Sequence, residues 1–424
     1  MKSVSATFTW LRPLITLTFV STLFQGCLLQ CLTRDDTRPF TNPAARQNLY
    51  KGQHDFSLAL LREVDKVSPA ENVFFSPYST YHALLLAYFT SAGQTEQSLS
   101  QALRLGANQD KVDIMQAYRF DKLRRTAPVS ADQPYEFNSA NRIYVSNQAH
   151  IRDCMEELFM DELQKTDFQT NPTAARRMIN SWVETQTRNM IKDLIPPDGI
   201  DQMTNLVLVN AAFFRGLWEY RFDAANTQPM IFYVTPSENT MVDMMTQEGT
   251  FNHDVSEKLG AHILELPYKG SSASMFILLP PFVRENGVEN ILANLNAETF
   301  GEIVKEGNLF PKKVIVAMPK FSMERTIEMA PILERIGVGD LFTDSADLST
   351  LTGTRNITLG RAIHKARIEV TEEGTKAAAA TALFTFRSSR PAEPAQFICN
   401  HPFVYVIYDK QSQAILFSGI FRRP

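Results

Sequence analysis

The sequence predicts one α+β domain preceded by an amino-terminal leader, and three observations carry that prediction. Amphipathic helical spacing dominates the first half of the chain, and short apolar strand patterns dominate the second. The two do not alternate regularly, as they would in a doubly wound sheet. From Leu49 to the end of the 424 residues, no Pro/Gly/Ser linker, low-complexity tract or repeat divides the chain.

Each element follows from its own periodicity. Apolar side chains recur every three or four residues over 53–66, 79–90, 94–105, 153–165 and 173–194, and again over 288–297 and 329–333, which predicts helices. Apolar runs bounded by turn residues predict strands at 142–145, 206–214, 261–267, 274–279 and 313–318, then at 362–370, 397–399, 403–409 and 414–421.

Before the domain, Lys2 and Arg12 precede an uncharged run over residues 14–32, closed by Arg34, Asp35, Asp36 and Arg38. A basic start, an apolar middle and small residues near the end describe a secretory signal peptide over 1–31, cut after Gly26 or a few residues later. The run is also long enough to span a bilayer, so a retained anchor is the alternative. Residues 32–48 read as a flexible segment, with 33–48 disordered, and 49–424 as the domain. Cys27 and Cys31 fall with the leader, leaving Cys154 and Cys399 in the body, where apolar neighbours suggest two buried free thiols. Asn356-Ile-Thr358 is an acceptor for glycosylation.

Composition and motifs exclude more than they offer. A net charge of −4 and a pI near 6.0 argue against a nucleic-acid binder. No G-x-S-x-G elbow, H-E-x-x-H, C-x-x-C or phosphate-binding G-x-x-x-x-G-K-[ST] occurs, and the 7 histidines lack ligand spacing. Gly337-Val-Gly339 opens a dinucleotide motif, but Phe342 occupies its last glycine position and a helix precedes it. An enzyme, a metal site and a bound cofactor are therefore not expected.

One segment breaks local rules. After the strand at 362–370 comes Glu372-Glu373-Gly374-Thr375-Lys376, then Ala377, Ala378, Ala379, Ala380, Thr381 and Ala382. Alanine favours an exposed helix. With a period of two, however, Thr375, Ala377, Ala379 and Thr381 share one small, uncharged face that could slide between strands, with Lys376 on the other. Spacing alone leaves both readings open.

Here the chain resembles the serpin family. The segment from Glu372 to Thr381 resembles that family's reactive-loop hinge. Asn72-Val-Phe-Phe-Ser76-Pro77-Tyr-Ser79 resembles the opening of its buried helix, and Asn210-Ala211-Ala-Phe-Phe214-Arg-Gly216-Leu-Trp218, followed by Phe222, its central strand and breach. Pro319-Lys320-Phe321, Ala346-Asp347-Leu348, His364-Lys365-Ala366, His401-Pro402-Phe403 and Phe417-Ser-Gly419 follow in the family's order. Departures are Asn189 for a usual glycine, His401 for a common arginine, and Lys376 for a frequent glutamate.

The resemblance implies a serpin fold: three β-sheets, about nine helices and an exposed reactive loop at about 372–395. It implies a secreted, monomeric suicide inhibitor of a serine protease, acting in an extracellular cascade such as clotting or immune melanisation. The cleaved loop would insert into the central sheet and trap the acyl-enzyme, with no catalysis of its own. A non-inhibitory carrier, chaperone or storage serpin is the alternative. A trypsin-like protease would select Arg387–Ser388 as the scissile bond, with Ser388–Ser389 and then Arg390 as alternatives. Trp218, Lys320 and Glu372 correspond to the breach, and Ser76, Ser79, Asn210 and His364 to the shutter, although His364 alone would read as a surface histidine. Lys111, Arg119, Lys122, Arg124 and Arg125 lie where some serpins bind heparin, which suggests a polyanion cofactor.

Overall fold

Ser76 caps the helix around which the chain is wrapped. The structure, a computed structural model, describes residues 31–32, 43–106, 109–126, 135–282, 286–355, 357–374 and 393–424. Its first elements are α1 (Pro43–Val67), β1 (Val73–Phe75) and α2 (Pro77–Thr90). Pro77 sits in the first turn of α2, where no donor is needed, and the Ser79 amide donates to Ser76 Oγ at 3.1 Å. All 14 residues of α2 are buried, as expected of a helix with almost no polar face.

Around it stand α3 (Gly93–Ala102), α4 (Lys111–Thr126), β2 (Tyr135–Ser146), α5 (Asp153–Leu158), β3 (Leu163–Thr166), α6 (Pro172–Gln186) and β4 (Leu206–Gly216). The second half supplies β5 (Gln228–Tyr233), β6 (Asn239–Ser256), β7 (Ala261–Pro267), β8 (Ala273–Leu279), α7 (Gly287–Asn294), α8 (Ala297–Val304), β9 (Phe310–Pro319) and β10 (Phe321–Glu328). The chain closes with α9 (Ala330–Arg335), α10 (Ser349–Thr352), β11 (Arg361–Val370), β12 (Ala395–Ile398), β13 (Phe403–Asp409) and β14 (Ala414–Phe421). Helices and strands do not alternate regularly, as an α+β fold requires.

A five-stranded sheet runs β10-β11-β4-β2-β3, and a nine-stranded one runs β1-β14-β13-β8-β7-β6-β9-β12, with β5 on β6. The 18-residue β6 pairs with β5 over its first residues, with β9 from Met244 to His253 and with β7 at its end, so the two smaller expected sheets are joined through it. Alternation along β4 explains why it is buried on both faces. Val207, Val209, Ala211 and Phe213 pack under α6, while Ala212 and Phe214 face the nine-stranded sheet.

Several expectations are corrected. The segment 33–48 is not disordered throughout, since α1 begins at Pro43. The helix read over 153–165 stops at Leu158, and Leu163–Thr166 becomes β3, held by parallel pairing to β2 from Ile143↔Leu163. The helix read over 288–297 is two helices, because Asn296 and Thr299 form a capping box that starts α8. The helix read over 173–194 ends at Gln186, where Arg188 (φ +50°) and Asn189 (φ +63°) turn the chain left-handed.

The thiol reading is corrected as well. Cys154 is not free: it is bonded to Cys31, 123 residues away, while Cys399 is a buried free thiol. The Cys31 carbonyl also accepts from Arg152 at 3.4 Å. A leader ending at 31 would remove this bond, so Cys31 belongs with the body rather than with the leader. Sequence spacing could not pair two cysteines whose partners are fixed by tertiary contact.

Candidate functional site

Strands β4 and β11 lie side by side and parallel, from Arg361 opposite Val207 to Arg367 opposite Phe213. β11 pairs antiparallel with β10 on its other edge, and β4 with β2 on its own. At the far end of β11 the chain turns back through Thr371 and Gly374, which bridge each other. Gly374 has φ +85°, and a Cβ there would sit 2.4 Å from the Gly216 carbonyl oxygen and 2.5 Å from the Trp218 nitrogen. Only glycine fits both the backbone and the space.

Backbone hydrogen bonds close this end of the seam. The Trp218 amide donates to the Glu373 carbonyl (3.2 Å) and the Phe222 amide to the Glu372 carbonyl (2.9 Å). The Trp218 indole N–H donates to the Thr371 carbonyl at 2.9 Å, and its ring stacks on Tyr268 at 4.6 Å. The Glu372 carboxylate pairs with Lys320 at 3.0 Å and accepts from Thr227 Oγ1 at 2.9 Å. Burial alone would raise its pKa, but a backbone N–H, Lys320 and Thr227 hold it below the usual carboxylate range. Lys320 is nearly half exposed, so the ion pair itself contributes at most about 1 kcal/mol.

Midway along the seam, Ser76, Ser79, Asn210 and His364 meet in one buried cluster. His364 is fully buried, and its Nε2 accepts from the Ser76 amide at 2.9 Å. The ring is therefore neutral, with Nδ1–H donating to Asn210 Oδ1. Burial pushes its pKa down to about 3, against a smaller raising effect from Asn210. The surface reading of His364 is thereby excluded. Asn210 Nδ2 donates to Ser79 Oγ at 2.6 Å and to Asn141 Oδ1, while Ser76 Oγ donates to the Leu416 carbonyl at 2.7 Å. Ser79 Oγ lies 2.6 Å from Ser139 Oγ, and Thr80 Oγ1 donates to Asn210 Oδ1 at 3.4 Å. Ser139, Asn141 and Thr80 were missed by sequence reasoning. A strand read only from 142 onward hides the polar pair at 139 and 141, which alternation on the longer β2 puts on one face.

The five cations of the polyanion reading are divided by the structure. Lys111, Arg119, Lys122, Arg124 and Arg125 all lie on α4, and each has a partner within the protein. Lys111 is only 6% exposed and donates to the Ser91 carbonyl (2.7 Å) and to Glu96 (3.0 Å). Arg119 donates to the Leu158 carbonyl at 2.6 Å, and Lys122 pairs with Asp161 and Glu162. Arg124 and Arg125 both approach the buried Asp121, and Arg125 also pairs with Asp409 at 3.4 Å and lies 4.3 Å over the Tyr78 ring. Cations at helical spacing look like one stripe in sequence; packing turns Lys111 and Arg125 inward and leaves Arg119 exposed and Lys122 and Arg124 partly exposed.

Elsewhere, a cavity of about 1010 Å³ opens between α1, α8 and β13, with Tyr50, His54, Phe276, Val304, Tyr408 and Lys410 in its lining. Among the described residues no group of His, Cys, Asp and Glu is arranged to hold a metal. Thr375, Ala377, Ala378, Ala379, Ala380 and Thr381, the bonds Arg387–Ser388 and Ser388–Ser389, Lys376, Arg390 and Asn356 lie outside the described residues.

Comparison with known proteins agrees with this geometry. The sequence matches the family model Serpin (serine protease inhibitor) over residues 51–424. It is 43% identical to Serine protease inhibitor 88Ea of Drosophila melanogaster over 395 residues, 89% of this chain and 91% of that protein. Serpin48 of the insect Tenebrio molitor, described as a highly specific serpin, superposes with TM-score 0.75 at 30% identity, over 89% of this chain and 98% of that one. Human thyroxine-binding globulin, in complex with its hormone, superposes with TM-score 0.78 at 26% identity over 89% and 99%.

Proposed function

The chain belongs to the serpin family of serine protease inhibitors, and from that premise we propose that it is a secreted suicide inhibitor of trypsin-like proteases. One observation carries this reading: β4 and β11 are adjacent and parallel, and β11 leads through Gly374 directly into the small-residue segment. A strand that follows β11 by a tight turn runs antiparallel to it, and therefore antiparallel to β4 too. Insertion thus replaces one parallel pairing by two antiparallel ones, which are slightly more stable per residue and add a full set of ladder hydrogen bonds.

In this reading the protease attacks the carbonyl carbon of Arg387. The Arg387–Ser388 bond breaks, Ser388 leaves as the new amino terminus, and the acyl-enzyme ester joins Arg387 to the protease. About fifteen inserted residues at about 3.3 Å each then carry the tethered protease roughly 50 Å to the opposite pole. The Cys31–Cys154 bond supports secretion, since disulfides persist in oxidising compartments. The covalent complex is 1:1, and a role in an extracellular cascade follows from the arginine preference. Heparin-type activation through α4 is not part of this proposal.

Mixing the mature protein with trypsin tests the reading on denaturing gels, with mass spectrometry of the released peptide. A denaturant-stable complex and a peptide beginning at Ser388 are expected. A peptide beginning at Ser389 would move the bond, and cleavage without any complex would refute trapping of trypsin. The cavity supports a second reading, a carrier of a small amphipathic molecule, because a serpin that binds thyroxine shares the fold. Heat resistance separates the two: an inhibitor gains stability when its loop is cut, whereas a carrier's melting point stays unchanged.

A further inference from the structure

Three histidines far apart in sequence, His253, His262 and His401, gather around β12, the strand through which the chain re-enters the fold after the small-residue segment. β12 ends the nine-stranded sheet, and among the described residues it pairs with β9 alone, from Ala395 opposite Val314 to Ile398 opposite Ala317. A four-residue parallel ladder on one edge holds a strand weakly, so its packing decides whether it stays down. That packing runs through Phe397 and, two residues on, Cys399, both buried in the cluster beneath the sheet.

Phe397 lies edge-on over the ring of His253 on β6, with centroids 5.8 Å apart. On its other side His253 stacks with His262 of β7 at 6.0 Å. His253 is 6% exposed, and neither of its ring nitrogens meets a hydrogen-bond partner in the protein. The charged groups facing it are few. Lys312 of β9 and His262 oppose a proton there, and only Asp254 favours one. That carboxylate is already held by Lys312 at 3.2 Å and by the Val255 amide at 2.9 Å, while β12 itself carries no titratable side chain. Burial, then Lys312 and His262, therefore keep His253 neutral in the packed state. His401 donates Nε2–H to the Pro280 carbonyl at 2.7 Å and packs edge-on against Phe282 at 5.3 Å. Burial lowers its pKa too, the Pro280 carbonyl opposes that, and His262 adds to it.

Lifting β12 removes Phe397 from His253 and lets the ring meet water. A solvated imidazole titrates near about 6.5, so below that pH the lifted form takes up a proton that the packed form refuses. Neutral pH then favours the packed strand and acid favours the lifted one. Between about pH 7.5 and about pH 5.5 one such ring shifts the balance by up to about tenfold.

We propose that His253, backed by His262 and His401, is an acid-sensitive latch on β12, holding the carboxyl-terminal root of the reactive loop at neutral pH and loosening it below about pH 6. All three are positioning residues. What the looser loop does to a protease rests on the inhibitor reading above, but the latch is a property of β12 and is measurable without any protease.

Cys399 reports the movement, because it is a fully buried free thiol beneath the same strand. Its trapping by dithiodipyridine is timed in the native wild type and in His253→Leu, which takes up no proton, at both pH values. Comparing the two proteins at each pH cancels the ionisation of the thiol. The ratio of wild-type to variant rate should rise about threefold to tenfold from about pH 7.5 to about pH 5.5. A ratio that does not change with pH overturns the latch. Hydrogen exchange over β14 should stay alike in the two proteins at each pH. Acceleration there that matches β12 in the wild type also overturns it, since the histidines would then act on the whole fold. If His253→Leu does not fold, His253→Phe, which keeps the ring contacts, carries the same test with the same expected ratio. A rising ratio with no trypsin complex would refute the proposed inhibition and leave the latch standing; a complex with a flat ratio would do the reverse.

Discussion

Replacing His364 with glutamine should make the protein less sensitive to acid. Glutamine can keep both contacts of the ring, accepting from the Ser76 amide and donating to Asn210 Oδ1, but it cannot take up a proton. In the folded chain the imidazole titrates at about 3, against 6.5 for an unperturbed histidine. Below pH 6.5 the unfolded chain therefore binds a proton that the folded chain refuses. The stability contributed by the neutral ring is complete above that value and is lost progressively as pH falls toward 3. Each unit is worth about 1.4 kcal/mol, so the wild type should lose about 3 kcal/mol more than the variant between about pH 7.5 and about pH 4.5. His54 and His82, both lowered to about 4 by burial, push in the same direction but are common to both proteins and cancel in the difference. Urea unfolding of both proteins at the two pH values measures it. An equal loss in both, within about 0.5 kcal/mol, would show that His364 is not held neutral in the shutter.

Three further outcomes follow from the same geometry. Gly374→Ala should cost about 2–3 kcal/mol and open the breach, because its Cβ meets backbone at 2.4 Å; unchanged Trp218 amide exchange would contradict this. Cys154→Ser should lower stability by roughly 3–5 kcal/mol through loss of a bond closing 123 residues, and reduction of the wild type should reproduce the shift in melting temperature. Lys320→Met should cost less than about 1 kcal/mol, since Thr227 and the backbone still hold Glu372; a loss of several kcal/mol in thermal unfolding would mean that the ion pair, not the backbone, closes the seam.

Much of the fold was legible without coordinates. Continuous apolar runs marked β7, β8, β13 and β14 nearly to the residue, because strands buried on both faces carry long apolar runs that turns interrupt sharply. Polar edge strands were invisible for the converse reason: β3 (Leu163-Gln-Lys-Thr166) and β10 (Phe321 to Glu328) have little apolar pattern and exist because β2 and β11 offer them an unpaired edge. The ordered motifs picked out Ser76, Ser79, Asn210 and His364, which meet in one cluster, and Lys320 and Glu372, which pair, yet Thr227, Ser139 and Asn141 had no sequence signal, since a hydroxyl or amide acquires its partners only from what faces it.

The sequence by itself determined the serpin family and the α+β class, since these depend on local periodicity, residue size and order along the chain. Tertiary structure alone decided that Cys154 joins Cys31, that the cations of α4 find partners in Asp121, Asp409, Glu162 and backbone carbonyls, and that His253 lies between His262 and Phe397. Pairings between distant residues are set by the direction in which side chains point once the sheets have packed, and no spacing along the chain encodes that direction.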